Sequence, residues 1–262
     1  MQEREEPVVK SSRFTELDIV RSIAISAMVF FHLLWDLDYY GISQLDKQVY
    51  SNASYVPIAF FLLIGVCLTI SAQHKTTKQI MMRGAMIFMV GICISIVSCI
   101  VIPARPITFG VLHCIGLSMI ISPLFLRFKT YNILFAPMVI GFGMFVNTLY
   151  VSNPSFIQLM LGFHQAELWR YTVDYFPLLP WFGVVLIGIC IGNVLYKDGK
   201  RQFKLPEIDL NLKRFRVFAW MGRHSLAIYI SHQPILAFSI MYVLPYAEKG
   251  YAAVTSSMAG FI

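Results

Sequence analysis

Residues 18 to 36, DIVRSIAISAMVFFHLLWD, would suit a lipid bilayer but for an arginine, a histidine and two aspartates. An ionisable side chain inside a membrane span costs roughly 2.5 kcal/mol or more unless it is paired or wetted. At 100° per residue, the step from Arg21 to His32 closes to within about 20° of one helix face, about 16 Å apart along the axis. Asp36 follows His32 at the i+4 spacing that brings helical side chains together. Asp18 stands in the i−3 relation to Arg21 and can neutralise it. The stretch therefore reads as one polar stripe, a cation at one end and a His32–Asp36 couple at the other. A carboxylate bonded to one ring nitrogen leaves the other nitrogen as a base and stabilises the imidazolium that forms. The structural alternative is a histidine bonded to a neighbouring carbonyl and an arginine snorkelling to the surface. Taken as a whole, the stripe favours chemistry.

Other apolar runs carry further candidates. TFGVLHCIGLSMIIS contains His113, and VDYFPLLPWFG holds Asp174 and Tyr175 just before two prolines that interrupt any helix. In MGRHSLAIYISHQPI, Gly222 and Arg223 precede Ser225 and His232, which are seven residues apart and share a face. Pro234 frees a backbone carbonyl near His232, the kind of break that lines a polar cavity. Each of His113, Asp174 and His232 taken alone reads equally well as a satisfied structural group. His74, His164 and His224 read as loop or interface residues. No two histidines lie four residues apart as in a helical zinc motif, so no metal centre is expected. A Gly-rich phosphate loop and a nucleophile elbow are also missing from the sequence.

The elements that must position these groups are membrane helices. Of 262 residues, 57% are hydrophobic and 13% charged, with a mean hydropathy of +0.66. That apolar excess is too large for a soluble core. Apolar runs long enough to span a bilayer fall at 15–37, 52–72, 80–102, 108–126, 131–150, 176–196 and 218–243. The sequence thus predicts an all-α polytopic integral-membrane bundle of about seven transmembrane helices. It reads as a single membrane domain: a polar tail over 1–13, the bundle over 14–244 and a C-terminal tail over 245–262. The semi-polar stretch between the fifth and sixth runs reads as an interfacial helix or a re-entrant loop. The front of the chain lacks a secretory signal, so the first span is expected to stay in the mature protein. All five cysteines sit in apolar runs without metal-like spacing and read as reduced packing residues.

The net charge of +7 is a topology signal rather than a nucleic-acid footprint, because lysine and arginine gather in alternate loops. The cationic set comprises the front, Lys75 to Arg83, Arg127 with Lys129, and Lys197 to Arg216. The loops between hold little more than Lys47, Arg105 and Arg170. The positive-inside rule then gives a cytoplasmic N-terminus and an outward C-terminus. His32, His113, Asp174 and His232 all fall in the outer half of the bundle.

At this point a resemblance enters. ELDIVRSIAISAMVFFHLLWDL resembles the first-span signature of the integral-membrane acyltransferase type-three superfamily, and MGRHSLAIYISHQPI is similar to its late-span motif. FGVLHCIGLSMII and DYFPLLPWFGVVLIGICIG narrow this further. They resemble a small prokaryotic family grouped with the catalytic domain of heparan-alpha-glucosaminide N-acetyltransferase, over about residues 13–244. The resemblance implies an enzyme that moves an acyl group, acetyl above all, from cytoplasmic acyl-CoA to a hydroxyl or amine on the far side. It places the superfamily's arginine–histidine pair on Arg21 and His32. The lysosomal enzyme is held to use a histidine in the loop after its first span. Residues 33–51 contain none, so the resemblance gives the chemistry to His32.

On this reading His32 and Asp36 are catalytic, and Arg21, Arg223 and Ser225 meet the acyl-CoA co-substrate. His113, Asp174, Tyr175 and His232 hold an acceptor of glycan or lipid-headgroup type. The expected partners are the lipid bilayer, acyl-CoA and that acceptor, without nucleic acid, and the sequence is compatible with a homo-oligomer. The expected location is a prokaryotic plasma membrane. Two rival readings use the same residues: a transporter or channel with a His/Asp/Arg pathway, and a scaffold whose buried charges only pack. The absence of an internal repeat weighs against the transporter.

Overall fold

A computed structural model describes residues 14–44, 46, 48–49, 55–197, 200–204 and 213–243. The tails 1–13 and 245–262 and Lys47 lie outside the described residues. In chain order the helices are α1 (Thr15–Tyr39), α2 (Tyr55–Ala72), α3 (Thr77–Val101), α4 (Val111–Ile121), α5 (Asn132–Val146), α6 (Phe156–Leu161), α7 (Leu178–Leu195), α8 (Lys213–Arg223) and α9 (Ser225–Phe238). The chain is an all-α polytopic membrane protein. Helices α1, α2, α3 and α7, and the run Lys129–Val146 that contains α5, are long and apolar enough to cross a bilayer. Every backbone N–H and C=O in hydrocarbon needs an internal partner, and a helix supplies them all within one segment.

Two expected spans differ in detail. The run 108–126 begins its helix only at Val111. It then continues through Ser122, which keeps helical dihedrals, into the single turn Pro123–Leu126. Sixteen helical residues reach about 24 Å at 1.5 Å each, shorter than the other crossings. The run 218–243 is broken at His224 (φ −103°, ψ 18°). A basic amphipathic helix, α8, ends at Arg223, and α9 restarts at Ser225. The imidazole Nδ1 of His224 lies 2.9 Å from the Trp220 carbonyl and the ring packs on the indole, so the break carries its own local bonds. The stretch between the fifth and sixth spans folds as the short helix α6 followed by turns and a 3₁₀ turn at Leu168–Arg170.

The chain groups into two compact units. In the first, residues 58–204, α3 packs on α4 and α5 packs on α7. Lipid is as apolar as leucine, so these helices gain little by hiding side chains from each other and rely on close backbone approach. Glycines make that approach possible. A Cβ on Gly65 of α2 would fall on the Val185 carbonyl of α7, and one on Gly188 would fall on the Leu62 carbonyl. Gly84 of α3 and Gly116 of α4 face each other's carbonyls in the same way. The Thr69 hydroxyl, 3.1 Å from the Ile189 carbonyl, adds an interhelical hydrogen bond at the α2–α7 crossing. Around it Phe61, Val185, Leu186 and Ile189 are fully buried. Met86, Ile100, Met138 and Phe142 stand exposed, as lipid-facing side chains do. A capping box starts α3: the Thr76 hydroxyl accepts from Gln79 N–H, and the Gln79 side chain accepts from Thr76 N–H.

The second unit takes both ends of the chain, the described residues of 14–57 and of 208–262. Here α1 packs against α8 and α9. Gly222 lies on the backbone of Asp18, where any Cβ would fall on the Asp18 carbonyl. Gly222 meets Asp18 and Arg21, whereas Gln233 meets His32 and Asp36. The contacts advance in the same sense along both segments, so α1 and α9 run parallel.

Crowding at the α2–α7 crossing sets an expectation. Gly188→Leu should lower stability by about 1–3 kcal/mol or more through overpacking, whereas Gly141→Ala, with open space around it, should be neutral or slightly stabilising. Thermal unfolding of both variants in detergent checks this.

Candidate functional site

The charged residues of α1 fall into two groups, each completed by the late helices of the same unit. At the first, Arg21 Nη1 donates to the Asp18 carboxylate at 2.9 Å and to the Gly222 carbonyl at 3.2 Å. Asp18 is buried and Arg21 partly so. Arg21 therefore ties α1 to the end of α8. Beside it in sequence, Arg223 is exposed and Ser225 opens α9 half-buried. The three residues expected to meet the donor thus belong to one unit, with Arg21 already engaged in a structural bond.

At the second group the expected His32–Asp36 couple is present, but not as a direct bond. Gln233 of α9 stands between them. Its Nε2 donates to both oxygens of Asp36, at 2.9 and 3.0 Å, and its Oε1 lies 3.0 Å from His32 Nδ1. The i+4 spacing does put both α1 side chains on one face, and that face is covered by α9, whose amide fills the gap. An amide oxygen only accepts, so His32 Nδ1 carries the proton and Nε2 points away from the bond. Asp36 is 2% exposed, so its carboxylate depends on these two hydrogen bonds from one amide.

His232 joins the same cluster. Its ring meets that of His32 edge to face with centroids 4.8 Å apart. Its Nδ1–H donates to the Tyr229 carbonyl, which leaves Nε2 as a bare lone pair. That atom is buried and has no hydrogen-bond partner among the described residues. A buried polar atom left without a partner costs about 1–3 kcal/mol. The cluster thus offers two neighbouring imidazoles backed by one carboxylate, with an acceptor position open.

The other three expected residues assemble in the first unit around the start of α4. Gly110 occupies the N-cap and has no side chain to offer. Asp174 supplies the cap from 63 residues away, accepting from Val111 N–H at 3.1 Å. The helix N-terminus favours that negative charge. Gly110 N–H donates to His113 Nδ1 at 3.2 Å, and the buried His113 ring is enclosed by Phe88 and Phe109. The Phe176 N–H donates to the Phe109 carbonyl, which pins the two segments together. Tyr175 donates its hydroxyl to the Leu159 carbonyl at 2.8 Å. Burial pushes its phenol above the ordinary range, so the group stays a neutral donor. Asp174, His113 and Tyr175 each have a structural bond in this unit. Nearby, a cleft of about 240 Å³ is lined by Thr108, Asn153, Leu159, Gln165, Tyr171 and Thr172.

The structure therefore brings together His32, Asp36 and His232, and separately Arg21 with the α8 end, and in the other unit His113, Asp174 and Tyr175. Gln233 escaped the sequence reading. An uncharged amide in an apolar run carries no charge to flag it, and its signal was adjacency to His232 and Pro234. Among the described residues no cluster of histidine, cysteine, aspartate and glutamate is suited to a metal ion. The five cysteines are free.

A family model described as "Heparan-alpha-glucosaminide N-acetyltransferase, catalytic" matches residues 13–234. Neither a curated protein nor a solved structure matches the chain.

The borrowed cap of α4 is testable on its own. Asp174→Ala should cost about 1 kcal/mol, read as a lowered unfolding midpoint in detergent.

Proposed function

From the premise that the chain belongs to the heparan-alpha-glucosaminide N-acetyltransferase catalytic family, we propose that it transfers an acyl group, acetyl above all, from acyl-CoA to a hydroxyl or amine. Family membership makes it a membrane transferase, and the donor, acceptor and base are our reading. The observation that carries the reading is the partly buried His32–Gln233–Asp36 chain of hydrogen bonds beside the bare Nε2 of His232.

In the proposed reaction His32 Nε2 takes the proton of the acceptor O–H or N–H as that atom attacks the thioester carbonyl carbon. The tetrahedral oxyanion then collapses, the C–S bond breaks, and the CoA thiolate leaves with the proton from the His32 imidazolium. General-base help of this kind contributes typically 10²–10⁴-fold. Asp36, acting through Gln233, stabilises the imidazolium while it exists. The lone pair of His232 receives a hydrogen bond from the acceptor and holds it against His32. The acyl-CoA phosphates sit towards the cationic end of the unit, where Arg223 is exposed and the first N–H groups of α9 at Ser225 favour an anion. Arg21 adds positive potential there while it holds α1 to Gly222. The acceptor is a sugar, glycan or lipid headgroup, and the acyl-CoA is drawn from the cytoplasm, to which the basic loops point. The acceptor-side roles expected of His113, Asp174 and Tyr175 form a separate proposal, to be read from the acceptor KM of His113→Ala.

Purified protein in nanodiscs is expected to release CoA thiol from acetyl-CoA when given hydroxyl- and amine-bearing sugars or headgroups. His32→Ala should lower that rate by roughly 10²-fold or more with little change in the unfolding midpoint. Full activity in the variant, or no release from any acyl-CoA by the wild-type protein, rejects the reading.

A further inference from the structure

With the Asp36 carboxylate ionised, the amide of Gln233 faces its neighbours in one way. Both oxygens of Asp36 lie within hydrogen-bond distance of Gln233 Nε2, and a buried carboxylate there accepts from an NH₂ group and repels a carbonyl. Turning the amide over would set oxygen against oxygen. With the NH₂ committed to Asp36, Oε1 faces His32 Nδ1 at 3.0 Å and can only accept. A neutral histidine left to itself favours the proton on Nε2, which would leave no lone pair there to act as a base. The second imidazole does not correct this. His232 meets the His32 ring edge to face, and its own Nδ1–H is engaged by the Tyr229 carbonyl.

We infer that Gln233 is the positioning residue of the site. Oriented by Asp36, its amide holds His32 in the Nδ1–H tautomer, so that Nε2 is bare and directed at the reacting proton. An amide between carboxylate and imidazole also differs from direct contact. The amide passes orientation and part of the carboxylate's field to the ring. The roles are divided: Asp36 sets the amide, the amide sets the ring, and the ring meets the substrate. The effect on rate rests on the acyl-transfer reading, whereas the tautomer does not.

The test separates the two. Full-length protein with ¹⁵N-labelled histidine is examined in nanodiscs by NMR at a pH where the rings are neutral, and His32→Asn identifies the His32 signals. Wild type is expected to show His32 protonated at Nδ1 and bare at Nε2. Gln233→Leu should move the proton to Nε2 and lower kcat by up to roughly 10⁴-fold, the cost of a wrong histidine tautomer in a catalytic triad, with KM for acetyl-CoA unchanged. Gln233→Leu leaves the Asp36 carboxylate buried without its donors and risks misfolding. The double variant Asp36→Leu/Gln233→Leu removes both polar partners, keeps the fold, and is expected to show the same tautomer switch. Nε2–H in wild type, or an unchanged tautomer in both variants, overturns the assignment. A tautomer switch in a wild-type background that transfers no acyl group upholds the positioning role and rejects the acyl-transfer reading alone.

Discussion

Helix backbones in this protein touch, and that contact governs what else the fold can do. Within a bilayer the hydrophobic effect does not press helices together, so cohesion has to come from close packing and from polar bonds. Gly65 against Gly188, Gly84 against Gly116 and Gly222 against Asp18 bring main chains near enough for a Cβ to collide with a carbonyl. The same closeness lets side chains bond across helices. Thr69 reaches the Ile189 carbonyl, and Arg21 reaches the carbonyl of Gly222. At the third of these contacts the spacing also sets the register of α9 on α1. With Gly222 seated on α1, α9 begins at a height from which Gln233 and His232 arrive opposite Asp36 and His32.

The polar groups of the two units answer to different demands. In the unit built on α4 and α7, Asp174, His113 and Tyr175 each satisfy a backbone group or are themselves satisfied by one. In the unit built on α1 and α9, the carboxylate, the amide and Nδ1 of His32 are engaged with one another, while His232 keeps a buried lone pair with no partner among the described residues. A fold that satisfies Asp174 from across 63 residues is capable of satisfying His232 as well. On the proposed reading, that open position is where the acceptor's proton would sit.

Much of this was legible in the sequence because hydrocarbon imposes simple rules. Apolar runs of span length located the crossing helices, and the eleven-residue step from Arg21 to His32 with Asp36 one turn on described the face that α9 covers. The motif segments pointed to the family that the match over residues 13–234 assigns. Other features depended on neighbours that no single segment reveals. His224 interrupts a run whose hydropathy alone reads as continuous, and the break rests on bonds to Trp220. The couple between His32 and Asp36 looked direct from their spacing, but a side chain from the far end of the chain fills the space between. A glycine N-cap looks like a weak helix start until Asp174 is seen to complete it.

The pairing of the first helix with the last also has a bearing on how the molecule is made. Asp36 and Gln233 are 197 residues apart in the chain. At about 5–20 residues per second a ribosome needs roughly 10–40 s to travel between them. During that interval α1 is already synthesised while the amide that satisfies its carboxylate does not yet exist. Until then the carboxylate of the nascent first helix has to be satisfied by water or by the insertion machinery. The cluster of His32, Asp36 and Gln233 is therefore among the last parts to be completed, and nothing shortened before residue 233 can complete it.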